Sequence, residues 1–273
     1  MKRILFISTG DKFPKGALSF VQHLQEQHKF CLAGLFFCPF DYDLLASASH
    51  IPIAAPYIRI KEKEKQIVAA QKEIFRRECA LRNIKCQVHD NDESWSKEIF
   101  VSESRFSDLI VVSGELFCED GSDNQPNVYL QEALHAAECP VIVIPEQYVA
   151  PSRLVIGYDG SKDSVFAIKQ FCHLFPQWTE LPTELVYVRE EHSENIPDLE
   201  QLRHFAQLHF GSLGCSKLHF NAGKHFSDWL YEKNPALLVT GSYGRSTFSY
   251  MTRRSFAAQA IHDHTMPVFI AHS

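Results

Sequence analysis

Short runs of Val, Ile, Leu and Phe alternate along the chain with longer stretches in which apolar residues recur every three or four positions. The short runs are apolar throughout, as expected of strands buried on both faces, and the longer stretches fit amphipathic helices. Strands are predicted near 153–158, 184–188, 216–221, 236–240 and 267–271. Helices are predicted after Ser161, around Leu199–Leu213, after His225 and after Ser255. Ser161 and Ser255 can each accept a hydrogen bond from an orphan backbone N–H, so both are predicted N-caps. This alternation builds a parallel sheet with helices on its two faces.

The pattern occurs twice. Arg3-Ile4-Leu5-Phe6-Ile7 aligns on Arg153-Leu154-Val155-Ile156-Gly157, followed by Gly10 on Gly160, Ala17 on Ala167 and His23-Leu24 on His173-Leu174, at a constant offset of 150. Later in each half, Ile110-Val111-Val112-Ser113-Gly114 aligns on Leu237-Leu238-Val239-Thr240-Gly241, and Pro140-Val141-Ile142-Val143 on Pro267-Val268-Phe269-Ile270, at an offset of 127. The first half therefore holds 23 additional residues in its middle. Lys61-Glu62-Lys63-Glu64-Lys65, followed by Ile67, Ala70, Ile74 and Leu81, reads as an amphipathic helix with a solvated start, and places the insertion there. The predicted fold class is α/β: two tandem doubly wound, Rossmann-like domains, each around a five-stranded parallel sheet, spanning 1–147 and 148–273. The junction between them, Pro145 to Pro151, is short and proline-bounded, so the two should sit close together.

With 273 residues and 45% hydrophobic content, the chain can bury a sizeable core. A formal net charge of -6 argues against broad capture of nucleic acid or an anionic membrane surface. The apolar stretch at residues 4–7 is too short for a signal peptide, and no run approaches a membrane-spanning length, so a cytoplasmic protein is expected. Eight cysteines with no CxxC pair suit buried reduced thiols better than a disulfide framework or a zinc site. Histidines 204, 209, 219, 225, 262 and 264 are numerous, but His204 and His209 fall on different helix faces, and no metal site is predicted. There is no GxSxG elbow, no Walker lysine and no paired carboxylate arrangement, so no catalytic residue is assigned.

In open α/β sheets ligands bind beyond the carboxyl ends of the strands. Two turns lie there. In Gly157-Tyr158-Asp159-Gly160-Ser161, Asp159 can accept hydrogen bonds from a ribose hydroxyl or a base amine, or can simply make the turn with Gly160. In the stretch from Gly241 through Gly244 to Ser255, two glycines permit close approach of phosphate oxygens, and Ser255 adds a hydroxyl beside helix-end N–H donors.

The Asp159-Gly160-Ser161 turn, Ser164 and Ala167 in the next helix, Gly241-Ser242-Tyr243-Gly244, Ser255 and Pro267-Val268 together resemble the universal stress protein family. The likeness covers nearly the whole chain and points to its tandem form. It implies an adenine nucleotide, ATP among them, with Mg only alongside a bound nucleotide. By the same resemblance, Asp159 and Val188 lie by the adenosine, Thr240 and Gly241 by the base and ribose edge, and Gly244, Arg254, Ser255 and Phe256 around the phosphates.

The family's ATP-binding branch carries Gly, two residues, Gly, nine residues, Gly, then Ser or Thr, and here Arg254 replaces the third glycine. If that position needs positive φ, a non-glycine residue costs roughly 1–3 kcal/mol. If its backbone is ordinary, Arg245, Arg253 and Arg254 can grip phosphates through charge-assisted hydrogen bonds, or stand on a solvated loop. In the first half Thr9 occupies the place of Asp159, Phe117 that of Gly244, Asn127 that of Arg254 and Val128 that of Ser255. The loop from Phe117 to Asp123 is acidic, and no ATP is expected there.

The expected function is a stress-response regulator that binds nucleotide in its C-terminal domain and acts on an unidentified protein partner, with at most slow incidental ATP hydrolysis. The alternative is a scaffold or interaction protein with both sites empty. An enzyme would rest on fold analogy alone. In either case the resemblance implies that the strands Val141–Ile144 and Val268–Ile270 pair edge to edge within the chain, which would satisfy both edges.

Overall fold

The computed structural model describes residues 1–9, 12–37, 54–89, 96–114, 135–188, 196–218, 224–241, 260–261 and 265–273. Its strands are β1 (Lys2–Thr9), β2 (Phe30–Phe37), β3 (Cys86–Val88), β4 (Leu109–Ser113), β5 (Val141–Ile144), β6 (Arg153–Tyr158), β7 (Thr183–Val188), β8 (Leu213–Leu218), β9 (Ala236–Thr240) and β10 (Val268–Ile270). The described helices are α1 (Lys15–Gln25), α2 (Ala54–Leu81), α3 (Lys97–Arg105), α4 (Lys162–Leu174), α5 (Leu199–His209) and α6 (Lys224–Glu232), with a single 3-10 turn at Trp178–Glu180.

All ten strands form one sheet, in the order β3-β2-β1-β4-β5-β10-β9-β6-β7-β8. Each half contributes five strands in the same relative order, parallel to one another. The halves meet where β5 and β10 pair antiparallel, with Phe269 opposite Ile142. This is the edge-to-edge pairing that the family resemblance implies. It gives both last strands a partner on each side, which removes two open edges from the sheet.

Side chains alternate between the faces, as a strand's period of two requires. Ile4 and Phe6 of β1 join Ala17, Leu18 and Val21 of α1 and Phe75 of α2 in one apolar layer. Leu5 and Ile7 join Phe100 of α3 in the other. Both layers cross the β5–β10 seam, since Phe269 and Phe171 belong to the first and Leu238 and Ile270 to the second. Covered strands explain why the sequence shows unbroken apolar runs.

The insertion lies where it was expected: residues 38–85 separate β2 from β3, twice as many as the 24 residues, 189–212, between β7 and β8. The start of the described side chains of α2, Lys61 to Lys65, is almost wholly exposed. Its buried stripe differs from expectation, being Gln71, Phe75 and Cys79 rather than Ile67, Ala70, Ile74 and Leu81. Phe75 sets the rotation by wedging between Phe6 and Phe36, at 5.3 Å from each ring, and Leu81 is left 71% exposed. β8 begins three residues earlier than predicted. The helix expected around Leu199–Leu213 stops at His209, and Gly214 pairs with Glu184 inside the strand.

All six described cysteines are free thiols. Burial pushes the thiols of Cys139 and Cys172 up to about 12. Cys215 departs from the expected burial and is exposed, because β8 is an outer strand. Among the described residues no helix is long and apolar enough to cross a membrane, and no three His, Cys, Asp or Glu side chains gather as metal ligands would.

One ion-pair network fastens α3 to the sheet. Arg3 pairs with Glu103 and donates to Ser107 Oγ at 2.6 Å, and His89 Nε2 lies 2.7 Å from the second Glu103 oxygen. Burial works to raise the Glu103 pKa, but hydrogen bonding from Arg3 and the charges of His89 and Arg3 outweigh it and hold the carboxyl below its usual range. A depressed carboxyl stabilises the fold above its unfolded pKa, roughly 4.3, and loses that contribution as pH falls through the lower folded value. Glu103→Gln is therefore expected to lower stability by about 1 kcal/mol at neutral pH. In thermal melts the gap to the parent should close once the pH drops below 4; a pH-independent gap would mean that the pair is only packing.

Candidate functional site

β6 and β9 are neighbours, yet β6 leads through α4 to β7 on one side while the chain after β9 returns to β10 on the other. Strand order thus reverses between them, which opens a crevice beyond their carboxyl ends. Gly157 pairs with Thr240, so Tyr158 stands level with Gly241 and Asp159 one residue beyond it. On the other flank Tyr158 pairs with Tyr187, which sets Val188 beside Asp159. The structure therefore brings four of the predicted residues, Asp159, Val188, Thr240 and Gly241, to one rim. Gly244, Arg254, Ser255 and Phe256 lie outside the described residues, as does the predicted cap at Ser255.

The β6–α4 turn is built from local polar contacts. Asp159 Oδ1 accepts from the Ser161 N–H at 2.9 Å, and Gly160 takes φ +80°, a conformation that disfavours a side chain. Ser161 caps α4 as predicted, its Oγ accepting from the Ser164 N–H at 3.1 Å, while Ser164 Oγ donates back to the Ser161 carbonyl at 2.8 Å. Asp159 thus does make the turn. Its carboxylate is nonetheless exposed, with this one contact made by Oδ1.

Gly241 is buried, and the reason lies within the protein. A Cβ there would come 2.6 Å from the Ser164 nitrogen and 2.8 Å from the Asp163 carbonyl carbon. The end of β9 presses directly on the first turn of α4, so the glycine is needed for packing whether or not a phosphate ever approaches. Asp163 is tied down in turn, its Oδ1 accepting from the Ser273 N–H at 3.1 Å and from the Ser273 hydroxyl at 3.0 Å.

Sequence reasoning did not single out Tyr158, Tyr187 or Pro197, which form the wall of the crevice. Pro197 backs onto Gly160, and Tyr158 donates its hydroxyl to the Pro197 carbonyl at 3.1 Å. Tyr187 is 1% exposed with its ring 6.3 Å from that of Tyr158, and among the described residues its hydroxyl has no hydrogen-bond partner. Burial first, then the charges of Asp198 and Asp159, raise the Tyr158 pKa, so its phenol stays protonated at neutral pH. A tyrosine at the last position of one strand run and the next-to-last of its neighbour was the available signal.

The described rim carries the exposed carboxylates of Asp159 and Asp198, with the two phenols buried behind it. It suits groups that donate hydrogen bonds, such as ribose hydroxyls and an exocyclic amine, and repels phosphate. A nucleotide could place its nucleoside here, but its phosphates would need donors from the stretch bearing Arg245, Arg253 and Arg254.

No family model and no curated protein matches the chain. Solved structures do. A universal stress protein from Archaeoglobus fulgidus superposes with a TM-score of 0.67 at 15% identity, covering 98% of this chain and 96% of that one. A protein from Pseudomonas aeruginosa, provisionally given the same family name, gives 0.51 at 11% identity over 99% and 93%. A functionally unknown protein from the same species gives 0.52 at 12% over 100% and 92%. The chain has the mixed α/β, mostly parallel-sheet fold of these proteins.

Proposed function

We propose that this chain is a tandem universal-stress-type regulator of the cytoplasm, with units 1–147 and 148–273, whose second unit binds an adenine nucleotide and presents a changed surface to a protein partner. One observation carries the reading: at the reversal point of the second half an exposed carboxylate, Asp159, stands just past the strand ends, one residue beyond the level of Gly241 and beside Val188. The corresponding first-half position is Thr9, which has no charge to offer. Asp159 would accept from the ribose, Thr240 and Gly241 would flank the base, and Gly244, Arg254, Ser255 and Phe256 would surround the phosphates, with Mg entering only alongside them. No group at the described rim is placed to activate water, so any hydrolysis would be slow and incidental.

A scaffold with both sites empty is the second reading. The continuous sheet across the seam favours it, since joining two units needs no ligand. Calorimetric titration of the full chain with ATP, ADP, AMP and adenosine separates the two. Saturable binding is expected, weakened about 10- to 100-fold in Asp159→Ala, the worth of a hydrogen bond to a charged group. Neither heat nor thermal shift at millimolar nucleotide would leave the scaffold standing alone.

A further inference from the structure

Cys79 lies near the end of α2 and Cys86 opens β3, the outermost strand of the first half. Between them the chain reverses tightly. The N–H groups of Arg82 and Ile84 both donate to the Cys79 carbonyl, at 3.2 and 2.8 Å, and Asn83 takes φ +54°. The reversal returns Cys86 to the side of α2 that carries Cys79: its side chain packs on the apolar layer that holds Cys79, near enough for the two thiols to influence each other. The turn is also held from outside, because Gln25 Nε2 donates to the Asn83 carbonyl at 2.8 Å and Arg82 Nε to Gln22 Oε1 at 2.8 Å. Two thiols are thus kept in register by a fixed turn.

Their surroundings differ. Cys79 is 0% exposed, within the apolar layer under α1 and α2, whereas Cys86 is half-buried at the sheet margin. Burial first, then the neighbouring Cys86, pushes the Cys79 thiol far up, so it keeps its proton. Cys31 sits in β2 next to Leu32, the residue paired with Cys86, and strand alternation turns it to the opposite face. Cys79 is therefore the sulfur offered to Cys86.

We propose that Cys79 and Cys86 are a peroxide-responsive pair that closes to an intramolecular disulfide. The accessible Cys86 sulfur attacks one oxygen of a hydroperoxide. The O–O bond breaks, Cys86 becomes a sulfenic acid, and the leaving oxygen departs as water or alcohol with the proton that the thiol gave up. The Cys79 sulfur then attacks the Cys86 sulfur, the S–O bond breaks, and hydroxide leaves as water with the Cys79 proton. Two thiols lose two electrons, which the peroxide takes up. A thiol reductant of the cell reverses the bond by exchange, as for other transient intracellular disulfides. The product staples the end of α2 to the margin of the sheet.

The test treats the full chain with hydrogen peroxide, blocks remaining thiols with iodoacetamide after unfolding, and maps non-reduced tryptic peptides by mass spectrometry. Cleavage at Arg82 and Lys85 separates the two cysteines, so a disulfide appears as one cross-linked peptide pair lighter by two hydrogens. Cys79 and Cys86 should lose alkylation together and regain it with dithiothreitol. The exposed Cys215 should not enter the cross-link. In Cys79→Ser the oxidation should stop at a Cys86 sulfenic acid that dimedone captures. Cys86 passing to sulfinic acid while Cys79 stays fully alkylatable would overturn the proposal, as would Cys79 joined to another cysteine.

Discussion

The Phe269→Ala variant should lose about 3–5 kcal/mol of stability, the range for deleting a fully buried aromatic ring. Phe269 is 0% exposed at the centre of β10, between Ile142 across the antiparallel seam and Val239 on the parallel side. Its ring meets Phe171 edge-on at 5.4 Å and Phe175 at 5.9 Å. Phe175 stacks on Trp178 at 5.1 Å, and Trp178 meets Phe20 of α1 at 5.9 Å. A cavity at Phe269 would therefore loosen a row of rings running from the second half into the first. Urea unfolding followed by tryptophan emission reads both the loss and any splitting of the transition. A change under about 1 kcal/mol, ordinary for a surface site, would show that the seam is not part of the core.

Gly16→Ala should be nearly as damaging, although it adds a single methyl group. A Cβ at Gly16 would lie 2.2 Å from the Pro145 carbonyl oxygen and 2.5 Å from that of Glu146. Both are backbone atoms on the segment leaving β5, so no rotamer change relieves the clash, and α1 must move away. That movement would break the hydrogen bond from the Gly16 N–H to Glu146 Oε2, at 3.2 Å, and draw His23 from the Tyr148 hydroxyl, now 2.6 Å from its Nδ1. Overpacking with little room to relax puts the loss at about 3 kcal/mol. Differential scanning calorimetry checks it, with the exposed Lys15→Ala as a control expected to shift stability by no more than about 0.5 kcal/mol. A stable Gly16→Ala would mean that α1 is not seated on the junction.

How much of this was legible beforehand differs by element, for physical reasons. β6 and β9 were placed to the residue, because each is an unbroken apolar run closed by a residue that cannot continue it, Asp159 or Gly241. The Ser161 cap was legible because capping is local, needing only a hydroxyl three residues ahead of a free N–H. The repeat offsets located the insertion without any knowledge of tertiary contacts, and the seam followed from the family resemblance. Elsewhere the deciding contact is distant in sequence. The rotation of α2 is set by Phe75 against Phe6 and Phe36, which no local periodicity reveals. Gly241 reads as an open approach for a ligand, and only the fold shows Ser164 standing against it. At the candidate site the Asp159 turn was legible, while Tyr158 and Tyr187 behind it were hidden by their resemblance to ordinary core residues.

The antiparallel seam has a geometric outcome. Strands of the first half run one way and those of the second run the other, so the carboxyl ends of β1 and β4 point away from those of β6 and β9. The crevices of the two repeats consequently open at opposite poles. A small molecule lodged in one cannot touch the other. Any coupling between the two poles has to cross the rows of paired peptide groups in the middle.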